Sequence, residues 1–294
     1  MALFSRRSVL RLLGATAAGC FSLASYAFAI EPRFRLVVTR YRVRPPRWPD
    51  MAKPLRMAVI ADVHACEPWM PLSHIEEIVA TTNALKPDMT VLLGDYVAGL
   101  GRFKSANVPA RDWAHLFGQL SAPLGKYAIL GNHDWWSNAG VVRTALENNG
   151  VPVLENEARR IKAQSGMSFW LAGLGDQLAI PAGRGRFRGV HDLPRTLAQI
   201  SDAEAPAILL AHEPDIFPRV PERFGLTLSG HTHGGQVRVP LLGRPIVPSR
   251  YGQRYAYGHI IEGNRHLVVS GGLGMSNLPV RFGVPPEIVL IELG

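Results

Sequence analysis

The chain has 294 residues, of which 47% are apolar and 19% are charged, and its formal net charge is +9. This composition excludes an intrinsically disordered chain, which combines few apolar residues with many charges. The 29 glycines and 23 prolines show no collagen-like period and predict many tight turns, and two cysteines cannot form a disulfide framework.

Residues 1–29 resemble a targeting segment. Arg6 and Arg7 precede an uncharged stretch, residues 12–30, and Ala27-Phe28-Ala29 has the small-x-small pattern of a signal-peptidase site. Paired arginines before a mildly apolar stretch resemble the twin-arginine signal that the twin-arginine export machinery recognises on folded proteins. We therefore expect an exported, periplasmic or membrane-associated protein. The alternative is an uncleaved membrane anchor, because residues 12–30 are just long enough to span a bilayer.

Residues 30–56 form a basic segment between this stretch and the predicted catalytic domain. Residues 34–43 are rich in β-branched and aromatic side chains, and Arg40, Arg42 and Arg44 fall on one face of the predicted strand. Such arginines keep an edge strand soluble; the alternative is a patch that binds an anionic membrane surface. No nucleic acid partner is expected, because no recognition motif is present and export removes most targets.

Residues 57–294 are predicted to form one catalytic domain of the α/β class. Apolar runs predict strands at residues 56–61, 89–93, 127–130, 169–174, 207–210, 226–229 and 288–293, and a hairpin at residues 255–269. Helices are predicted at residues 73–85, where Ser73 and Glu76 suggest a capping box, and at residues 113–120 and 138–149. Strands dominate the second half, so we expect a two-sheet α/β sandwich with helices layered on mixed β-sheets.

Five predicted strands end in side chains that bind metal ions. Residues i and i+2 of an extended chain point the same way, and ligands gather at the carboxyl ends of strands in open α/β sheets. A lone histidine or aspartate at such a place is usually a loop or capping residue, but five such sites make coincidence a poor explanation. Carboxylate, imidazole and amide oxygen suit Mn, Fe, Zn or Co and argue against a thiolate site. The five blocks are Asp62-Val63-His64, Gly94-Asp95, Gly131-Asn132-His133-Asp134, Ala211-His212 and Gly230-His231-Thr232-His233.

Together these blocks resemble the signature of the calcineurin-like metallophosphoesterase superfamily, in the same order, over residues 57–233. Residues 278–287 also resemble its exported or membrane-associated bacterial phosphodiesterase branch, the YaeI/YkuE-like group. The resemblance implies a metallophosphoesterase fold and a dinuclear-metal-dependent phosphoesterase. Such an enzyme hydrolyses phosphodiester or pyrophosphate bonds with a metal-bridging hydroxide as nucleophile.

The resemblance also implies roles for individual residues around two divalent transition metal ions. Catalysis would depend on His133, which stabilises or protonates the leaving oxygen, and on Asp134, which orients His133; capping of a helix is the alternative for Asp134. The first metal would be held by Asp62, His64 and His233, the second by Asn132, His212 and His231, and Asp95 would bridge them.

The substrate stays open at this level. The superfamily's serine/threonine phosphatases carry Asp-Arg-Gly where this chain has Ala98-Gly99, which argues against a protein phosphatase. Trp69, Trp135 and Trp136 could hold the second organic group of a diester or pack the loops beneath the rim. The arginine-rich residues 183–189 could bind a phosphate or stay solvated. The expected substrate is a small-molecule or lipid-linked phosphoester. Alternatives are a UDP-2,3-diacylglucosamine-type pyrophosphate of the lipid A pathway, a phosphomonoester, and a non-catalytic metal-binding scaffold, against which the complete ligand set argues.

Overall fold

The computed structural model describes residues 5–50, 53–100, 103, 105–163 and 166–294. The helices within these ranges are α1 (Arg6–Ser25), α2 (Glu31–Phe34), α3 (Leu72–Ala84), α4 (Ala110–Gly118), α5 (Asn132–Asn148) and α6 (Leu193–Ala198); a π-helical turn, Tyr26–Ile30, joins the first two. Short 3-10 turns occupy Pro214–Arg219, His233–Gly235 and Gly252–Tyr255. The strands are β1 (Val37–Val43), β2 (Leu55–Ile60), β3 (Cys66–Glu67), β4 (Met89–Leu92), β5 (Ala106–Asn107), β6 (Lys126–Ala128), β7 (Glu157–Lys162), β8 (Ser168–Gly173), β9 (Ile180–Pro181), β10 (Phe187–Arg188), β11 (Ala207–Leu210), β12 (Leu226–Ser229), β13 (Gly258–Glu262), β14 (Arg265–Val269) and β15 (Glu287–Leu293).

Two mixed sheets dominate the structure. The first has the order β1-β15-β2-β4-β6, with β2, β4 and β6 parallel to one another and β15 antiparallel to β2. The second has the order β13-β14-β12-β11-β8-β7, in which the four inner strands are parallel and each edge strand is antiparallel to its neighbour. Because both sheets contain parallel strands joined by helical crossovers, their carboxyl ends can gather ligands.

The core explains why the sheets pack face to face. Met57 and Val59 of β2 share one apolar cluster with Leu171 of β8 and Leu210 of β11, so this cluster lies between the sheets. Ile60 on the other face of β2 packs instead against α3, α4 and α5, in the cluster that includes Trp113 and Phe117. Both faces of the inner strands are thus apolar, as expected for parallel sheets covered on both sides. The predicted two-sheet α/β sandwich is confirmed.

Three local predictions differ from the structure. The capping box at Ser73 is wrong, because α3 begins one residue earlier at Leu72 and its N-cap, Pro71, has no side chain that can accept a hydrogen bond. The helix predicted from residue 138 starts at Asn132, and Asn138 is a kink within it with φ −164°. The edge strand β7 was missed, because its charged, exposed sequence lacks an apolar run.

The N-terminal segment is tied into the domain at two places. Strand β1 forms the edge of the first sheet, parallel to β15, and Arg40 and Arg42 on it are exposed. One helix of the described residues, Arg6–Phe34, is long and apolar enough to cross a membrane. Its first 20 residues contain no buried side chain, whereas near its end Ala27 is buried and its carbonyl accepts a hydrogen bond from Arg281 N at 3.0 Å.

Candidate metal centre

The carboxyl ends of the strands of both sheets bring all seven predicted ligands to one place. Asp95, which follows β4, lies at the middle of this group. Its Oδ2 atom is 3.5 Å from Nε2 of His64 and 3.3 Å from Nε2 of His212, which follows β11 of the other sheet. One carboxylate oxygen therefore faces a histidine on each side, as a carboxylate shared by two cations must.

One half of the centre consists of Asp62, His64 and His233, whose potential ligand atoms lie within 4.8 Å of one another. The Nε2 atoms of His64 and His233 are 3.1 Å apart. Nδ1 of His64 donates a hydrogen bond to the Val97 carbonyl at 2.8 Å. This bond fixes the tautomer in which the lone pair of Nε2 points into the centre, as in histidines that bind metal ions.

The other half combines Asp95, His212 and His231, again within 4.8 Å of one another. Nδ1 of His231 lies 3.0 Å from Oδ1 of Asn132, so the predicted amide ligand is also in place. Nδ1 of His212 donates to the Leu93 carbonyl at 2.7 Å, which leaves its Nε2 free toward Asp95. The two halves meet at Asp95.

Two buried polar atoms of this donor set lack hydrogen-bond partners in the described part of the chain, as expected of side chains that bind divalent cations. Oδ2 of Asp62 and Nε2 of His212 are buried and have no hydrogen-bond partner among the described residues. A buried polar atom without a partner costs about 1–3 kcal/mol. Two such atoms, one an acid oxygen and one an imidazole nitrogen aimed at the same centre, are explained by ions that they would bind.

The backbone at the centre is held in an uncommon conformation. Asp62, His64, Asp95, His231 and His233 all have positive φ, between 48° and 67°. Residues other than glycine pay for this left-handed conformation, and such strain gathers at functional sites. Glycine is needed beside them, since a Cβ on Gly230 would lie 2.6 Å from Oδ2 of Asp62.

The charges of the centre, without bound ions, are set by burial and by mutual attraction. Burial raises the pKa of Asp62 to about 7 and lowers the pKa of His64 to about 3. Burial opposes ionisation of Asp95 and His212 too, but their attraction holds the pKa of Asp95 well below, and that of His212 well above, the usual value. His64 thus stays neutral at pH 7, as a metal ligand must.

His133 lies at the surface of the centre, toward the solvent. Its ring meets that of His64 edge-on, with centroids 4.8 Å apart, and its Nε2 is 3.4 Å from Oγ of Ser276. The backbone of Gly99 lies against this ring, since a Cβ there would be 2.6 Å from Nδ1 of His133. The loop after Asp95 can therefore offer His133 no acidic partner, and the hydroxyl of Ser276 takes the place beside it.

The Asp134 carboxylate forms no hydrogen bond with the His133 ring among the described residues. This carboxylate is fully buried, and each oxygen accepts two backbone N–H bonds. Oδ2 accepts from Asp95 at 2.8 Å and Gly131 at 2.9 Å, and Oδ1 from Tyr96 at 2.9 Å and Val97 at 3.1 Å. Asp134 caps α5 and ties the loop that carries Asp95 to the loop that carries Asn132. This geometry favours the capping alternative.

A cleft of about 630 Å³ opens onto the metal centre. Asp95, Asn132, His133, His231 and His233 form its floor, and its upper walls are largely apolar, with Trp136, Leu178, Val237, Ile246, Leu278 and Val280 among them. Arg250 is the one cationic side chain, lysine or arginine, among the described residues that line it.

Of the three tryptophans predicted to surround the site, only Trp136 lines the cleft. Trp135 packs against the apolar core instead. The arginine-rich residues 183–189 form the tip and outer strand of the β9–β10 hairpin, whose Phe187 stacks on Trp136 at 5.1 Å. Their arginines are exposed and do not line the cleft.

Three polar residues near the centre were missed. Arg281 is fully buried, donates to the carbonyls of Gly271 and Gly274, and has Nη2 3.4 Å from Nδ1 of His233. Asp176 and Glu213 lie beside His212 as a further acidic cluster. Only the position of Glu213 directly after His212 could have drawn attention to it.

Comparison with known proteins agrees with this geometry. Residues 55–235, more than half of the chain, match the model of the calcineurin-like phosphoesterase family. The chain belongs to this family. The predicted superfamily is therefore confirmed, and this calcineurin-like phosphoesterase is a metal-dependent hydrolase of phosphoester bonds. Two divalent metal ions are typical of the family, and the Asp/His centre is compatible with them.

Two relatives of this calcineurin-like phosphoesterase match nearly its whole length. It is 31% identical to the uncharacterized metallophosphoesterase YkuE of Bacillus subtilis, over 98% of this chain and 97% of the relative. It is 32% identical to phosphodiesterase YaeI of Escherichia coli, over 99% of this chain and 100% of the relative. A 5'-nucleotidase precursor from Thermus thermophilus is similar at a TM-score of 0.48 and 11% identity, over 74% of this chain and 49% of that chain.

Proposed function

We propose that the protein hydrolyses phosphodiester or pyrophosphate bonds in preference to phosphomonoesters. The observation that carries this proposal is the cleft: its walls beyond the metal centre are largely apolar, and Arg250 is the one arginine or lysine among the described residues that line it. A monoester has an additional negative charge that enzymes usually bind with arginine or lysine, whereas a diester has a second organic group that needs a surface. The name of the relative YaeI, a phosphodiesterase, points the same way.

The residues of the centre would act as follows. One divalent ion would be held by Asp62, His64 and His233, and the other by Asn132, His212 and His231. Asp95 would bind both ions. Mn, Fe, Zn and Co suit this set of ligands. When bound, two such ions activate water near neutral pH and offset the charge of the phosphoryl oxygens.

His133 would donate a proton to the leaving oxygen. It is the histidine of the centre that reaches the cleft without belonging to either ligand set, and Ser276 fixes its ring. Asp134 would hold the two ligand loops in register through its four backbone hydrogen bonds, without taking part in proton transfer.

The test compares bis-nitrophenyl phosphate with nitrophenyl phosphate on protein loaded with Mn²⁺ or Zn²⁺. We expect a higher kcat/KM for the diester, and Trp136→Ala should raise its KM while Trp69→Ala, away from the cleft lining, leaves it unchanged. A sugar-nucleotide pyrophosphate serves as the third substrate. A tenfold preference for the monoester that Arg250→Ala removes would contradict the proposal and indicate a phosphatase.

We propose further that the protein is exported by the twin-arginine route, for which Arg6 and Arg7 are the support. The end of the apolar helix favours its retention as an anchor: Ala27 is buried, and the ring of Tyr26 meets that of Phe282 at 6.3 Å. Since that route carries folded proteins, cleavage after Ala29 requires this helix end to undock. Replacing both arginines by lysine should keep the protein in the cytoplasm. Sequencing of the mature N-terminus separates an anchored chain, which keeps residues 1–29, from one that begins at Ile30.

A further inference from the structure

Outside the helix Arg6–Phe34, most of the large exposed apolar side chains of the described residues lie near the mouth of the cleft. Leu241, Leu242 and Ile246 retain 107%, 77% and 75% of their full exposure. They belong to residues 239–247, called here the apolar loop, which is closed at its base by hydrogen bonds between Val239 and Gly243. Trp136, Phe187 and Leu278 add further exposed apolar surface around the same opening. Several exposed apolar side chains around one opening indicate a place where something docks.

Exposed charge around this opening is mainly positive. Three segments form most of its rim, residues 177–189, 236–250 and 276–286, and none of them contains an aspartate or glutamate. Of the acids that line the cleft higher up, Glu213 is buried and Asp215 pairs with Arg250. The three segments contain seven arginines, of which Arg281 is buried and Arg250 pairs with Asp215. Arg184, Arg186, Arg188 and Arg238 are exposed and form no ion pair within the described residues. Apolar side chains flanked by arginines are the composition of surfaces that bind the membrane interface.

The apolar loop is joined to the end of the N-terminal helix through one short segment. Arg238 N donates to the Phe282 carbonyl at 2.7 Å, and Phe282 N donates to the Gln236 carbonyl at 2.9 Å. On the same segment, N–H groups of Gly283 and Val284 donate to the carboxylate of Glu31 at 3.0 and 2.8 Å. The end of the helix that is able to cross a membrane and the base of the loop thus both bind the same segment, residues 282–284.

We propose that the mouth of the cleft docks on an anionic lipid bilayer, with the apolar loop inserted among the lipids. The protein would then act on amphiphilic phosphoesters presented at that surface; this second part rests on the proposed function. The apolar upper walls would contact the lipid portion of the substrate while its phosphorus reaches the metal centre.

A bilayer fits these observations better than a protein partner. The apolar loop has prolines at positions 240 and 245, which lack the N–H donors that a docking strand would require. Its charge has one sign, which complements anionic headgroups, and a membrane-spanning helix beside it would hold it at that surface.

The first test locates the loop without using activity. The full chain with Cys20→Ser and Leu241→Cys carries a nitrobenzoxadiazole label and is reconstituted into vesicles of phosphatidylethanolamine and phosphatidylglycerol; Cys66 is buried. We expect a blue-shifted emission that lipids with nitroxide-labelled acyl chains quench. The matched control is Ile261→Cys, 58% exposed and at the end of the second sheet opposite the metal centre, and its label should stay in water. A label at position 241 that also stays in water overturns the proposal.

The second test compares two substrates. Leu241→Glu with Leu242→Glu should lower kcat/KM at least about tenfold for a nitrophenyl phosphodiester of diacylglycerol within the vesicles, because acids at the loop oppose insertion. The same variant should hydrolyse soluble bis-nitrophenyl phosphate within twofold of the wild type, and Ile261→Glu should change neither rate. Equal loss or no loss on both substrates contradicts the proposal. If the wild type hydrolyses neither ester, the proposed function fails, and the position of the label still decides the docking.

Discussion

The substitution Asp134→Asn distinguishes capping from catalysis at this position. In the structure each carboxylate oxygen of Asp134 accepts two backbone N–H bonds, and the side chain is fully buried. Asparagine has the same shape but only one oxygen. In either orientation of its amide, the NH2 group faces two N–H donors that then have no acceptor.

The expected cost follows from these two lost acceptors. A buried donor left without a partner costs about 1–3 kcal/mol. Two of them lower the free energy of unfolding by roughly 2–6 kcal/mol, a large part of the roughly 5–15 kcal/mol that stabilises a folded domain. Since the lost bonds hold the loops of Asp95 and Asn132, metal content should fall as well.

Urea unfolding and elemental analysis measure both effects. Asp192→Asn is the matched control: the side chain of Asp192 caps α6 through one hydrogen bond, from Arg195 N at 2.9 Å, and is exposed. Asparagine caps helices about as well as aspartate, so this variant should keep wild-type stability. If Asp134→Asn keeps stability and metals but loses kcat steeply for alkyl esters, Asp134 acts through His133 and the capping argument is wrong.

Three further predictions concern the centre itself. Asp95→Ala or His231→Ala should remove metal from one or both halves and lower activity at least about 100-fold, and two full equivalents of metal in either variant would contradict the ligand assignment. His133→Ala should keep both metals and lose kcat by roughly 10²–10⁴ for alkyl esters. The loss should be smaller for nitrophenyl esters, because nitrophenolate leaves without protonation. An equal loss of kcat for the two kinds of ester would refute the role of a general acid. Loading the metal-free protein with Zn²⁺ at pH 7 should release about one to two protons. The raised pKa values of Asp62 and His212 keep these side chains partly or wholly protonated until the ions bind. The affinity for Zn²⁺ should therefore fall as the pH is lowered. Calorimetry in buffers of different ionisation enthalpy measures this release, and its absence would show that neither group is protonated before binding.

The ligand positions were predictable because each follows an apolar run that can only be a buried strand. Asp62 and His212 come from different sheets, but both follow parallel strands, and parallel strands place their carboxyl ends at one edge. The apolar runs in the sequence do not predict how the ligand-bearing edges of the two sheets face each other. That arrangement depends on packing across the core, for example between Val59 and residues such as Leu210. The superfamily signature supplied that arrangement.

The features that the sequence does not reveal share a physical cause: each depends on backbone groups that are distant in the sequence. Arg281 satisfies its guanidinium mainly with main-chain carbonyls, so no neighbouring acid in the sequence indicates its burial. Strand β7 is charged along its exposed length and is held by pairing with β8. The sequence cannot decide between the two roles of Asp134, because its partners Tyr96 and Val97 lie nearly 40 residues earlier.

The position of β15 in the first sheet bears on the timing of folding. It occupies residues 287–293, far along the chain from β1 and β2, yet it lies between them and pairs with both. Neither pair can form until residues 287–293 have left the ribosome, and the closure of so long a loop slows folding. The apolar helix Arg6–Phe34 leaves the ribosome well before β15 does, while the first sheet is still open. The proposed twin-arginine route, which accepts only folded cargo, would therefore have to wait for β15, and a chain truncated before residue 287 would present the proposed signal on an unfinished sheet.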